Sequence, residues 1–94
     1  MRDDRLERSD AKARANLIDH GVSFEAARLV FDDPRALDEI DNRFDYGEDR
    51  FNITGMADGM LLTVTYTERS GRYRIISARK ATRNEQDDYF RQAR

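Results

Sequence analysis

The stretch MLLTVTYTERSGRYRIISARK, Met60 to Lys80, decides the fold. In its first half Leu62, Val64 and Tyr66 alternate with Leu61, Thr63, Thr65 and Thr67. A two-residue period in β-branched and aromatic residues is the pattern of a strand with two unlike faces. Ser70-Gly71 then reverses the chain into RYRIISARK, a second strand. Upstream, Asp58-Gly59 is another turn signal, Arg50 to Ala57 (RFNITGMA) places Phe51, Ile53 and Gly55 on one face, and ALDEI (Ala36 to Ile40) reads as a weaker strand. Three or four consecutive strands joined by short turns make an antiparallel sheet.

Helical signals lie on both sides of this block. Ser9 and Asp10 are cap candidates for SDAKARANLIDH, which ends at Gly21, a residue suited to the left-handed position after a helix. Ala13, Leu17 and Ile18 are the candidates for its buried stripe. Ser23 caps a second short helix in which Phe24, Ala27, Val30 and Phe31 recur at helical spacing, and Pro34 ends it. Beyond the last strand, Thr82 and Glu85 fit the capping box of a C-terminal helix, TRNEQDDYFRQAR, with Tyr89, Phe90 and Ala93 for packing. The expected fold is α+β: one domain over residues 1–94, with a compact antiparallel sheet of three to four strands, two N-terminal helices and one C-terminal helix.

Hydrophobic and charged residues each make up 38% of the 94-residue chain, so the core is expected to be modest. The sequence contains no Cys, which removes disulfides, thiolate nucleophiles and cysteine zinc sites, and a single His argues against His-rich metal centres. The acids Asp38, Glu39, Asp41 and Asp45 lack the spacing of a calcium loop. No metal and no cofactor is therefore expected. No apolar run reaches the ~18–20 residues of a membrane span, and MRDDRLERSD has no signal-peptide core. The expected location is the cytoplasm.

Charge is unevenly distributed. RSGRYRIISARKATR (Arg69 to Arg83) holds Arg69, Arg72, Arg74, Arg79, Lys80 and Arg83 with no acid among them. Residues 1–34 carry 6 Lys/Arg against 8 Asp/Glu, residues 35–68 carry 3 against 8, and residues 69–94 carry 8 against 3. A basic segment on an acidic chain suggests a polyanion such as nucleic acid; the alternative is that these arginines pair with the acids of residues 38–49 across the sheet. In an unbroken strand Arg72, Arg74, Ile76, Ala78 and Lys80 share one face, while Tyr73, Ile75, Ser77 and Arg79 share the other. Arg74 and Lys80 would then line a groove with Thr63 or Thr65, and Arg79 would join them only if the strand ends or twists near Ala78.

Histidine is the side chain best suited to proton transfer near neutral pH, so His20 is a candidate acid or base, although a helix C-terminus is a sufficient structural reason for a cation there. Glu48 and Glu68 are alternative proton acceptors, or salt-bridge partners. Tyr66 and Tyr73 either stack on bases or belong to the core.

Five short motifs, HGVSF (His20 to Phe24), FDDP (Phe31 to Pro34), GEDRF (Gly47 to Phe51), YTER (Tyr66 to Arg69) and RIISARKAT (Arg74 to Thr82), occur in an order and spacing that resemble the BrnT toxin family. The chain departs from that pattern at LERS (Leu6 to Ser9), where an aromatic-acidic start is common, and at Asp19, where a basic residue is common. The resemblance implies a RelE-like fold and a ribonuclease toxin of a bacterial type II toxin–antitoxin module. It further implies RNA cleavage that inhibits translation, with neutralisation by a BrnA-type antitoxin in a symmetric hetero-oligomer. DNA would be bound only through the antitoxin, because this chain has no convincing helix-turn-helix.

Cleavage by internal transfer needs a base for the 2′-hydroxyl, cations for the phosphorane and an acid for the 5′-oxygen. Arg74 and Arg79 suit phosphate clamps, Lys80 a clamp or proton carrier, and His20, Glu48 or Glu68 the proton transfers. Arg69, Arg72, Arg83 and Tyr66 are candidate RNA contacts. The competing reading is a non-catalytic RNA- or protein-binding module that uses the same basic strand.

Overall fold

The computed structural model describes residues 6–7, 9–42, 45 and 47–92. Its elements run β1 (Leu6–Glu7), α1 (Asp10–His20), α2 (Phe24–Val30), β2 (Leu37–Asp41), β3 (Arg50–Ala57), β4 (Met60–Arg69), β5 (Arg72–Lys80) and α3 (Arg83–Gln92). The sheet order is β1-β5-β4-β3-β2. The four long strands are antiparallel and consecutive, as the turn signals require. Asp58 and Gly59 have φ of 52° and 83°, and Ser70 and Gly71 have 54° and 78°. Positive φ at both central residues is the tight hairpin turn whose twist matches that of its strands. The two-residue β1, which lies in the LERS segment, was not expected; it pairs parallel to β5 at Tyr73 and Arg74.

The caps act as their chemistry dictates. Ser9 and Ser23 accept from Lys12 N and Ala26 N, and Gly21 ends α1 with φ 69°. Thr82 and Glu85 form a reciprocal capping box, with Thr82 N–H donating to Glu85 Oε1 at 2.8 Å and Glu85 N–H donating to Thr82 Oγ1 at 3.2 Å.

Helix α2 lies against β3, β4 and β5. Its Phe24, Ala27 and Val30 pack with Ile53, Leu62, Val64, Tyr66, Ile75 and Ala78 in the core. Full burial of a residue such as Phe24 contributes ~1.5–3 kcal/mol. Gly55 permits the approach of α2, since a Cβ there would come within 3.0 Å of Val30 Cγ1 and Ala36 Cβ. Asp33 fastens the end of α2 to two other elements: Oδ2 accepts from Met56 N–H at 2.8 Å and Tyr89 O–H at 2.6 Å, and Oδ1 accepts from Arg35 N–H.

The expected stripe of α1 holds at Ala13, which packs against the core, and is corrected at its other two positions. Leu17 is 51% and Ile18 81% exposed, whereas Asn16 is the buried residue. Helix α1 lies beside β5, and the Asn16 amide answers both backbone groups of Ala78, donating to its carbonyl at 2.8 Å and accepting from its N–H at 2.9 Å. It also donates to Val22 O. A side-chain amide thus takes the place of a neighbouring strand, a task that no apolar residue performs. In α3, Tyr89 is buried as expected, Phe90 is 53% exposed, and Ala93 lies outside the described residues.

Candidate nucleic-acid interface

Strand β5 is not an unbroken strand. Thr65 pairs with Ser77 but Tyr66 pairs with Ile75, so Ile76 is one extra residue opposite β4. Such a bulge reverses the facing of everything on one side of it. Arg74 is opposite Thr67 and Arg79 opposite Thr63, and these threonines share a face. The face split expected from simple alternation is therefore corrected: Arg74 and Arg79 lie together. Lys80 is opposite the core residue Leu62 and is exposed at the end of the strand, out of the groove expected for it.

The resulting face, opposite α2, is polar across three strands. Its middle row is Asn52, Thr65 and Ser77, and Thr65 donates to Asn52 Oδ1 at 2.7 Å. At one end Thr54, Thr63 and Arg79 are aligned, with Thr54 and Thr63 joined through their hydroxyls at 2.8 Å. At the other end Arg50, Thr67 and Arg74 are aligned, beside Arg69 and Arg72 of the hairpin. Arg74 and Arg79 are separated by four residues of β4, or ~13 Å.

Each end contains a carboxylate. Glu85 receives Arg79 in a two-point contact, Nη1–Oε1 2.7 Å and Nη2–Oε2 2.9 Å, and also accepts from Thr63 Oγ1 at 3.0 Å. The guanidinium, opposed by burial and aided by the Thr82 and Thr63 donors, holds the Glu85 carboxyl down to about 2. Glu48 sits among three guanidiniums, 3.4 Å from Arg50 Nε, 3.9 Å from Arg69 Nη2 and 3.8 Å from Arg74 Nη2. Among the described residues Arg74 Nε is buried without a hydrogen-bond partner.

The family model for BrnT, the ribonuclease toxin of type II toxin–antitoxin systems, matches residues 9–85. The chain belongs to the BrnT family. No curated protein matches it. Membership of a type II toxin–antitoxin family implies ribonuclease activity and an antitoxin protein as partner. The α+β architecture agrees with the expectation from the motifs, and among the described residues no helix is long and apolar enough to cross a membrane.

The residues named from the sequence fall into separate places in this BrnT-family chain. Arg69, Arg72, Arg74, Arg79 and Glu48 belong to the polar face. Arg83 opens α3, pairs with Asp87 and is 86% exposed. His20 is exposed in the last turn of α1, the helix that flanks the outer edge of β5. Tyr66, named as an RNA contact, is 5% exposed in the core, where Phe31, Phe51 and Tyr73 surround its ring with centroids 5.0–5.4 Å away. Its hydroxyl donates to Asp38 Oδ2 at 2.5 Å. The core reading of Tyr66 is the one that the placement supports. Arg50 is the basic residue of this face missing from the sequence-derived set. Its signal was the alternation of RFNITGMA, which puts Arg50 and Asn52 opposite in facing to Phe51 and Ile53.

Proposed function

We propose that this BrnT-family chain is a metal-independent endoribonuclease that lays an RNA strand along the polar face of its sheet. The observation that carries this reading is the convergence of Arg50, Arg69 and Arg74 on one end of that face, with Arg79 further along it. Arginine forks bind phosphate oxygens in two-point contacts and stay charged through the reaction, so they supply the positive charge that the phosphorane requires. Arg74 and Arg79 are the clamps. Glu48 is the carboxylate within this cluster and the group placed to take the 2′-hydroxyl proton; His20 and Lys80 are the alternative proton carriers. Arg72 and Arg83 extend the contact with RNA.

In this reading the chain acts in the cytoplasm, halts translation and is neutralised by a BrnA-type antitoxin in a symmetric hetero-oligomer, with DNA bound through the antitoxin.

The test is RNA integrity in bacteria after brief induction of the wild-type chain, with Arg74→Ala at matched soluble expression. Rapid loss of RNA with the wild type alone supports the reading. Intact RNA with both would overturn it in favour of a binding module.

A further inference from the structure

Resting on that reading, we propose that Glu39 and Asn52, opposite each other on β2 and β3, form a base-reading subsite selective for guanine, beside the arginines that hold the RNA backbone.

The polar face extends onto β2, where Leu37, Glu39 and Asp41 stand opposite Thr54, Asn52 and Arg50. Directly opposite residues of an antiparallel pair share a face, with Cβ atoms ~4.5–5.5 Å apart. The two end rows of this face are closed: Thr54, Thr63, Thr67 and Asp41 are all buried. The middle row is open, with Asn52, Thr65 and Ser77 half-buried and Glu39 exposed. At the basic end Asp41 stands opposite Arg50, whereas in the middle row Glu39 stands opposite an amide, so charge pairing across the two strands does not account for it. Among the described residues the Glu39 carboxylate has no hydrogen-bond or ion-pair partner, and the Asn52 side chain has only the bond that Thr65 donates to its Oδ1.

That bond engages the acceptor end of the Asn52 amide and leaves Nδ2–H2 as the end offered to a ligand. The row therefore presents a donor next to a two-oxygen acceptor. Guanine complements this pattern. Along its Watson–Crick edge O6 accepts, while N1–H and the 2-amino group donate side by side to a carboxylate. In the same pose adenine and cytosine set an amino group against the Asn52 donor, and uracil sets its 2-carbonyl against Glu39. The layout suits one nucleotide. Arg74 and Arg79 lie along β5, and Asn52 stands two strand spacings away, or ~10 Å. A backbone held along β5 sends its base across β4, over Thr65, to reach Asn52 and Glu39.

The experiment measures binding of the full chain to six-nucleotide 2′-O-methyl RNAs, which lack the hydroxyl needed for cleavage. The probes are oligouridine alone and oligouridine with one central guanosine, adenosine or inosine. The guanosine probe is expected to bind about tenfold more tightly than the adenosine and uridine probes. Inosine, which lacks the 2-amino group, falls between them. Glu39→Gln and Asn52→Ala each reduce the guanosine preference to less than about twofold, whereas Arg74→Ala weakens all four probes by a similar factor and leaves their ratios in place, as loss of a phosphate contact does. A ratio between probes does not respond to a loss of stability, so it separates reading of the base from support of the sheet.

Equal affinity for the guanosine and adenosine probes, inosine as tight as guanosine, or a guanosine preference that survives in both folded variants would overturn the proposal. Absence of binding to every probe removes the subsite as well, whatever the cleavage result. Because the probes are not cut, the two readings fail separately. RNA cleavage without the preference removes the subsite alone, and the preference without cleavage removes the ribonuclease alone.

Discussion

Arg79 and Glu85, six residues apart, meet as a two-point ion pair that joins the end of β5 to the first turn of α3. The same carboxylate caps the helix and accepts from Thr63 of β4, so one side chain connects three elements. Its charge is a condition of that connection. The folded-state carboxyl titrates at about 2, below its ordinary value of 4.5, so the stabilisation is complete above the ordinary value and disappears as the pH falls toward 2.

Acidification between about pH 4.5 and pH 2 is therefore expected to loosen α3, read as loss of helical circular dichroism or of Tyr89 amide protection. Glu85→Gln is expected to cost about 1–2 kcal/mol at neutral pH and to flatten that part of the acid profile.

The two clamping arginines are expected to separate under mutation. Arg74→Ala lowers RNA cleavage at least about tenfold with little change in Tm. Arg79→Ala lowers cleavage and stability together, because it also strips Glu85 of its partner. Equal Tm losses in the two variants would contradict the assignment of Glu85 as the more firmly held carboxylate.

Tyr66→Phe removes the hydroxyl that donates to Asp38 and is expected to cost ~0.5–1.5 kcal/mol while leaving RNA binding unchanged. Burial, with the Asp38 carboxylate beside it, pushes the Tyr66 phenol well above its ordinary range. In an alkaline absorbance titration the phenol lost in Tyr66→Phe should be one that ionises above the ordinary tyrosine range. Weakened RNA affinity in Tyr66→Phe would return the ring to the binding surface.

Asn16→Ala leaves both backbone groups of Ala78 without their side-chain partner in a buried setting, and the expected cost is about 2–4 kcal/mol. Ile18→Ser, two residues on, should stay within about 0.5 kcal/mol. Denaturant midpoints of the two variants test the orientation of α1.

Local chemistry made most of the elements legible in the sequence. The two hairpin turns, the serine caps, Gly21 and the Thr82–Glu85 box all depend on residues a few positions apart, and each appears where its residue types demand it. What escaped depends on partners far along the chain. Asn16 looks like a neutral residue in a helix until Ala78, sixty-two positions away, supplies the reason for its burial. The apolar pattern of α1 pointed to Leu17 and Ile18 because a helical period does not reveal that the helix flanks a strand edge. Tyr66 carries the same composition signal whether it faces RNA or core; only the ring cluster with Phe31 and Phe51 decides. The site was half legible. The basic content of the last strand was plain, but its facing depended on one inserted residue.

That insertion at Ile76 makes β5 a strand read in two frames. Residues 72–75 and 77–80 each alternate faithfully, but the phase changes between them. A chain of the same sequence whose strand paired without the bulge would hold every arginine of this one and show Arg74 and Arg79 to opposite sides of the sheet, whereas deletion of residue 76 would keep them on one side. Composition and overall identity would barely register the change. For comparisons among such chains, the spacing of the two arginines taken together with the presence or absence of this bulge therefore carries more information about chemistry than the count of basic residues around it.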